Sequence, residues 1–203
     1  MTCTNAEVLT EKGFLSPDDF KSMGWETPCS TGNLSAEQIA LGGGWFLHTC
    51  TLVTRSDIKS DMPNDARYCG VGDYPLQIFA ALKGNVFYLE KKMAVYRFQH
   101  KGSWTERSKK DDFETLFNRN IKLVRMFCAL NSYSNGTHEG AFTNCQTNIV
   151  LSLLQRAPQH RRTILSSLGW VLKYEYQARC REKRPTSFIS KAYFNIKRLL
   201  AYP

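Results

Sequence analysis

The chain has 203 residues, of which 42% are hydrophobic and 12% aromatic, so it can bury a sizeable core and is not predicted to be disordered as a whole. No apolar run reaches the ~18 residues that a membrane-spanning helix needs. The seven scattered cysteines, with no CxxC pair, disfavour a disulfide framework and a zinc site. The opening residues, MTCTNAEVLTEKG, lack the basic and apolar regions of a signal peptide, and we therefore expect a cytoplasmic protein with reduced thiols.

The net charge of +9 is concentrated towards the end of the sequence. Residues 1–155 contain 16 Lys and Arg against 16 Asp and Glu, whereas residues 156–203 contain 11 Lys and Arg against two Glu. A neutral body followed by a basic tail suggests an anionic partner, either a lipid surface or a nucleic acid.

The first third of the chain is predicted to form short strands and one helix, joined by irregular segments. In LSAEQIALGGG (34–44), Ser35 and Gln38 have the spacing of a capping box, and the glycines end the helix. The stretch FLHTCTLVTR (46–55) has the β-branched content of a strand. In chain order we predict a strand over residues 1–9, an irregular surface segment over 10–35, a helix over 34–44, a strand over 46–55 and a loop over 56–70.

Helices predominate after residue 70. In VGDYPLQIF (71–79), Asp73 precedes an apolar run and Gly84 follows as a stop signal, so we predict a helix capped by Asp73. Asp111 and Glu114 have capping-box spacing at the start of another helix. The order of elements predicts an α/β body followed by a mainly helical C-terminal extension. Beyond the Asp73 helix we predict strands over 85–90 and 92–99, and helices over 111–130, 141–157, 160–182 and 187–201.

Several stretches resemble, in order and spacing, the second half of a family 2 glycosyltransferase with the GT-A fold. They are ALGGGWFLHTCTLVTRSDI (40–58), GVGDYPLQIFAALKGNVFYLEKKMAVYRFQHKGSWT (70–105) and the helix that follows. In that family, a glycine-containing segment leads into a strand ending in Arg, and a GD or ED dipeptide opens a helix. A KG-x-(I/V)-x-Y strand and a VYR strand then precede a loop with Gly, Ser and Trp. Residues 3–9, CTNAEVL, also resemble the strand that follows the family's metal motif. The matching positions are Gly42–Gly44, Arg55, Gly72-Asp73, Lys83-Gly84, Tyr88, Val95-Tyr96-Arg97 and Gly102-Ser103-Trp104.

The resemblance implies that Asp73 is the catalytic base of an inverting transfer from a nucleotide-sugar donor to a glycan or lipid-linked acceptor. Such a transfer needs one base to take the proton from an acceptor hydroxyl as its oxygen attacks the anomeric carbon. A carboxylate at a helix start sits on a firm element. Helix capping and catalysis are compatible, because one oxygen can accept backbone N–H groups while the other faces the acceptor.

The same resemblance places Gly42–Gly44 and Trp104 beside the acceptor, and the loop with Arg97, His100 and Lys101 beside the diphosphate leaving group. Simpler interpretations stay open: the glycines merely end a helix, and Trp104 covers the edge of the core. For His100, a role as metal ligand stands against that of a surface histidine, because the family often places its histidine one residue earlier.

The nucleotide-binding half of the GT-A fold, with its DxD metal motif, is not recognisable in this sequence. We therefore expect a truncated or split form of a longer enzyme, and we expect the complete enzyme to use Mn²⁺ or Mg²⁺. Residues 1–130 would form the acceptor-side half, a partial GT-A-like mixed sheet with flanking helices, and residues 131–203 a basic helical extension.

Two other functions stay open. One is a non-catalytic remnant that binds a glycan or pairs with a complete transferase. The other is a nucleic-acid-binding protein, which we rank last because no RRM, KH or helix-turn-helix pattern accompanies the basic tail.

The segment 156–184 reads as a helix with basic residues at both ends and an apolar face of Ile164, Leu168, Val171 and Leu172. In one interpretation this face enters an anionic membrane interface, which would make the protein peripheral at the inner face of a membrane. In the other, the face packs on the body and the charges stay in water.

Overall fold

The computed structural model describes residues 1–23, 27–28 and 30–181. Their architecture is mixed α/β, as the sequence predicts, with helices packed around a small sheet. The predicted helix over 187–201 lies outside these residues. The strands are β1 (Thr2–Thr10), β2 (Gly13–Phe14), β3 (Gly32–Leu34) and β4 (Val86–Arg97); the helices are α1 (Pro17–Ser22), α2 (Ala36–Gly42), α3 (Asn64–Arg67), α4 (Asp73–Lys83), α5 (Trp104–Ser108), α6 (Phe113–Tyr133), α7 (Glu139–Arg156) and α8 (Arg161–Arg181).

The sheet has the strand order β2-β1-β4-β3. Its two long strands, β1 and β4, run parallel, while the short β2 and β3 pair antiparallel at the edges. A parallel pair needs a long crossover connection, and here helices α1 to α4 lie in the intervening chain. Cys3 of β1 pairs with Tyr88 of β4, and both side chains are buried against the helices.

The two strands predicted over 85–90 and 92–99 form the single strand β4. The pairing with β1 runs regularly up to Thr4 opposite Leu89, and the next pair is Asn5 opposite Lys92. The register therefore shifts at Glu90 and Lys91, where the sequence pattern suggested a break, and shifts again at Met93, between the pairs of Asn5 and Ala6. An irregularity of this kind bends a strand without ending it.

The strand predicted over 46–55 is wrong for the described structure. Residues Thr49–Thr51 form a 3₁₀ turn, and only Val53 makes a bridge, exchanging two backbone hydrogen bonds with Thr2. β-Branched residues favour a strand, but a strand also needs a partner along its length. Within the part of the chain described here, this segment has a partner only at Thr2.

Local capping signals predicted one helix start correctly and missed another by one residue. In α2, the Gln38 N–H donates to the Ser35 hydroxyl and the Ser35 N–H donates to the Gln38 side chain, so the capping box is confirmed. In α6, Asp112 rather than Asp111 is the cap, accepting from the Thr115 N–H at 2.8 Å. Two segments predicted to be irregular also carry short elements: β2, α1 and β3 within 10–35, and α3 within 56–70.

One hydrophobic core lies between the sheet and the helices. It contains residues from both halves of the chain, including Phe79 of α4, Phe127 of α6 and Phe142 of α7. The predicted domain boundary at residue 130 falls inside α6, and Phe142 beyond it shares a core with the sheet.

A second core joins α6, α7 and α8. Ile164, Leu168, Val171 and Leu172 of α8 are all buried, packed with the neighbouring helices. The apolar face of the predicted tail helix therefore packs on the body, the second of its two interpretations. Among the described residues, no helix is both long enough and apolar enough to cross a membrane.

Candidate functional site

Asp73 is the first residue of α4, and each of its carboxylate oxygens has a hydrogen-bond donor. The Tyr74 N–H donates to Oδ1 at 2.9 Å, and the Thr49 hydroxyl donates to Oδ2. Gly72 occupies the N-cap position, so the prediction that Asp73 caps the helix is wrong by one residue. Asp73 is half-buried, and the two donors fix the orientation of its carboxylate.

Tyr96, near the end of β4, lies within electrostatic reach of Asp73. Burial raises the pKa of the Tyr96 phenol, and the Asp73 carboxylate is the next contributor. The ring of His48 stacks on Tyr96 with centroids 5.6 Å apart and meets Phe20 edge-on. Both shifts of this stacked pair favour the neutral form, since burial also lowers the pKa of His48. Of this stacked pair, Tyr96 is the member within electrostatic reach of Asp73.

The triple glycine reaches the start of the Asp73 helix. A Cβ placed on Gly44 would lie 4.0 Å from the Cβ of Tyr74, which directly follows Asp73. Gly42 is the last residue of α2, and Gly43 is its C-cap with φ +74°. The structure thus brings the predicted acceptor segment next to the predicted base.

The predicted diphosphate-side loop follows β4. Arg97 is its last residue, and both His100 and Lys101 are exposed. The Nδ1 atom of His100 lies 3.3 Å from the carbonyl oxygen of Arg97. Ser103 then caps α5 by accepting from the Glu106 N–H at 3.1 Å, which places Trp104 at the first position of that helix.

A cavity of about 470 Å³ lies between the loop before α4, helix α5 and the first half of α6. Trp104 is the one predicted site residue in its wall; Asp73, Gly42–Gly44, Arg97, His100 and Lys101 do not line it. Cys69 and Gly70 line the cavity, and Asp73 follows Gly70 by three residues in the chain. The full lining is Cys69, Gly70, Trp104, Arg107, Ser108, Asp111, Thr115, Asn118, Arg119 and Lys122.

Sequence reasoning missed the polar and basic residues of this cavity. Thr115, Arg119 and Lys122 recur at helical spacing and line the cavity from one face of α6. The helical spacing alone predicts that the three residues share one face of α6. That this face lines a cavity follows only from the position of α5. Thr49, the hydroxyl donor to Asp73, was missed because it lies in the segment predicted as a strand.

The Mn²⁺ or Mg²⁺ of a complete enzyme is expected at the DxD motif of the nucleotide-binding half, with His100 as the one candidate ligand named among the described residues. The described residues contain no group of three or more His, Cys, Asp or Glu side chains placed to hold a metal ion. His100 supplies a single exposed ring on its own.

No protein-family model, no curated protein and no solved structure gave a significant match to this chain.

Proposed function

We propose that this protein is the acceptor-side part of an inverting, family 2-like glycosyltransferase, in which Asp73 is the general base. The observation that carries the proposal is the placement of Asp73. Asp73 is half-buried, its carboxylate is oriented by two donors, and the residue that follows it, Tyr74, lies beside Gly44 of the glycine segment. The ordered sequence resemblance across residues 40–105 adds the reaction type.

In this proposal the acceptor hydroxyl donates a hydrogen bond to Asp73. A carboxylate has about four lone-pair positions, and the Tyr74 N–H and Thr49 hydroxyl occupy two of them. As the acceptor oxygen bonds to the anomeric carbon, the bond from that carbon to the diphosphate oxygen breaks and the hydroxyl proton passes to Asp73. Arg97 and Lys101 would place positive charge near the departing diphosphate, and His100 would offer it a ring N–H.

The test is an Asp73→Asn substitution in a transferase assembled from this chain and the nucleotide-sugar-binding half of a family 2 enzyme. General base catalysis contributes about 10²–10⁴-fold, so kcat should fall by that factor while the KM for the donor stays nearly unchanged. Asp65→Asn, at an exposed helix residue, is the matched control and should retain full turnover. An active assembly in which Asp73→Asn also keeps its turnover would show that another group is the base.

A non-catalytic glycan-binding role is the second candidate. It is favoured by Trp104, which is 50% exposed in the wall of a polar cavity. Glycan binding that survives Asp73→Asn, with no transfer in any assembly, would support this role over the first.

A further inference from the structure

We propose that the cavity between α5 and α6 binds an anionic sugar, that is, a monosaccharide unit carrying a phosphate or carboxylate group. The charged side chains of the lining are mostly cationic. Three of its side chains are cationic, Arg107, Arg119 and Lys122, and one is acidic, Asp111.

Only one of the three cations is neutralised within the cavity. Arg119 forms an ion pair with Asp111, and both side chains are largely buried. Arg107 donates to the carbonyl oxygen of Gly102 at 3.0 Å, and the Glu106 carboxylate within its electrostatic reach already forms an ion pair with Lys110 outside the cavity lining. Lys122 has no ion-pair partner among the described residues. The cavity therefore holds two positive charges in excess, which favour an anionic group on the ligand.

The aromatic wall supplies the second part of the specificity. The guanidinium carbon of Arg119 lies 5.4 Å from the centroid of the Trp104 ring, so the Asp111–Arg119 pair holds that ring in place. Half of the Trp104 side chain remains exposed. An indole face, negative in its quadrupole, attracts the slightly positive C–H groups of a sugar ring.

The remaining lining and the volume suit a sugar of one or two units. Ser108, Thr115 and Asn118 offer hydroxyl and amide groups that can both donate and accept hydrogen bonds. A cavity of about 470 Å³ is within the usual size range of small-ligand sites. The two cationic side chains Arg107 and Lys122, the Trp104 ring and these three neutral polar groups together match a ligand with one anionic group and several hydroxyls.

This inference deepens the proposed function, on which it rests for the statement that the anionic sugar is part of the acceptor. Binding itself is separate, because Asp73 does not line the cavity. Binding measured on the 203-residue chain therefore tests the cavity, whereas the Asp73→Asn assay tests the reaction.

The experiment is calorimetric titration of the full chain with glucose 6-phosphate, glucuronic acid, glucose, inorganic phosphate and uridine monophosphate, at low and high salt. We expect either or both of the two anionic sugars to bind more tightly than glucose and inorganic phosphate, and salt to weaken that binding. Arg107→Gln and Lys122→Gln should each raise the Kd of the anionic sugar about tenfold. Lys109→Gln is the matched control, since Lys109 ends the same helix as Arg107 but donates to Gln99 outside the cavity.

Trp104→Ala separates the sugar contact from the charge contact. It should weaken the anionic sugars about tenfold while leaving any weak binding of inorganic phosphate unchanged. Circular dichroism of each variant establishes that it is folded, and Trp104→Phe should recover most of the binding because it restores an aromatic face. Equal affinity for glucose and the anionic sugars, equal affinity for inorganic phosphate, tighter binding of uridine monophosphate, or no binding at all would each overturn the proposal.

Discussion

Among single residues, the three glycines before Trp45 differ, because the backbone or the packing requires glycine at only two of them. A Cβ on Gly42 would lie 2.3 Å from the Cγ atom of Phe46, so this position excludes a larger side chain by packing. Gly43 has φ +74°, a left-handed conformation that other residues rarely adopt. Only Gly44 has both ordinary geometry and the neighbour Tyr74, which makes it the glycine nearest the proposed chemistry. Gly42 and Gly43 thus end helix α2, while Gly44 lies beside the residue that follows Asp73.

His48 should make the stability of the fold depend on pH. Its side chain is 4% exposed, its Nε2 atom has no hydrogen-bond partner among the described residues, and burial lowers its pKa below 6.5. Because the unfolded chain binds the proton more readily, His48 contributes full stability above about pH 6.5, and that contribution is lost as the pH falls towards the lowered pKa.

The free energy of unfolding should therefore fall between pH ~7.5 and ~5.5, and His48→Phe should reduce this fall. Phenylalanine keeps an aromatic ring against Tyr96 but cannot take up a proton. Urea denaturation at both pH values measures the difference, with His100→Gln at an exposed position as the control that keeps the original slope. An unchanged slope in His48→Phe would assign the pH dependence to other groups.

At the scale of elements, α8 belongs to the folded body. Its apolar face fills the second core with residues of α6 and α7, while Trp170 and Lys173 lie on the exposed side. An interfacial membrane helix would need that apolar face to be free. Any membrane contact of α8 must therefore use its outer, basic and aromatic side.

Leu168→Ala tests this packing. Truncating a buried leucine typically costs about 2–5 kcal/mol of unfolding free energy, because it removes apolar contacts and leaves a cavity. Ser167→Ala, on the exposed side of the same helix, should change stability little. A small effect of Leu168→Ala in chemical denaturation would mean that α8 is not part of the cooperative core.

In the whole molecule, the excess positive charge lies in the last part of the chain, which includes the exposed side of α8. The body up to residue 155 is neutral, and the excess of basic residues begins with Arg156. On the described part of α8, Arg161, Arg162 and Lys173 are exposed together with Trp170. Such a basic and aromatic surface remains a candidate contact with anionic lipid, although the apolar face beneath it is buried.

Co-sedimentation with anionic vesicles tests that contact. Deleting residues 156–203 would be uninformative, because it would remove the buried face of α8 along with the charges. The triple substitution Arg161→Gln, Arg162→Gln and Lys173→Gln leaves the core intact and should weaken binding at low salt by about tenfold or more. The double substitution Lys91→Gln and Lys92→Gln on β4 is the control. Vesicle binding that is equal in all three proteins, or that is indifferent to salt, would exclude this surface as the contact.

The features that could be predicted from the sequence depend on short-range signals. The capping box of Ser35 and Gln38, the stop at Gly84 and the apolar periodicity of α6, α7 and α8 each act within a few residues, so these longer helices could be predicted almost to their ends, whereas the short α1, α3 and α5 were missed. The predicted base and glycine segment were also chosen from local patterns, and the structure brings them together through Gly44 and Tyr74.

The long-range contacts could not be predicted from local patterns. The parallel pairing of β1 with β4, the bridge of Thr2 to Val53 and the hydrogen bond of Thr49 to Asp73 join residues far apart in the chain. The same holds for the cavity, whose walls come from the segment before α4, from α5 and from α6. The physical reason is that a residue's local preference fixes its backbone conformation, whereas its partners depend on how the helices and strands pack around the shared core.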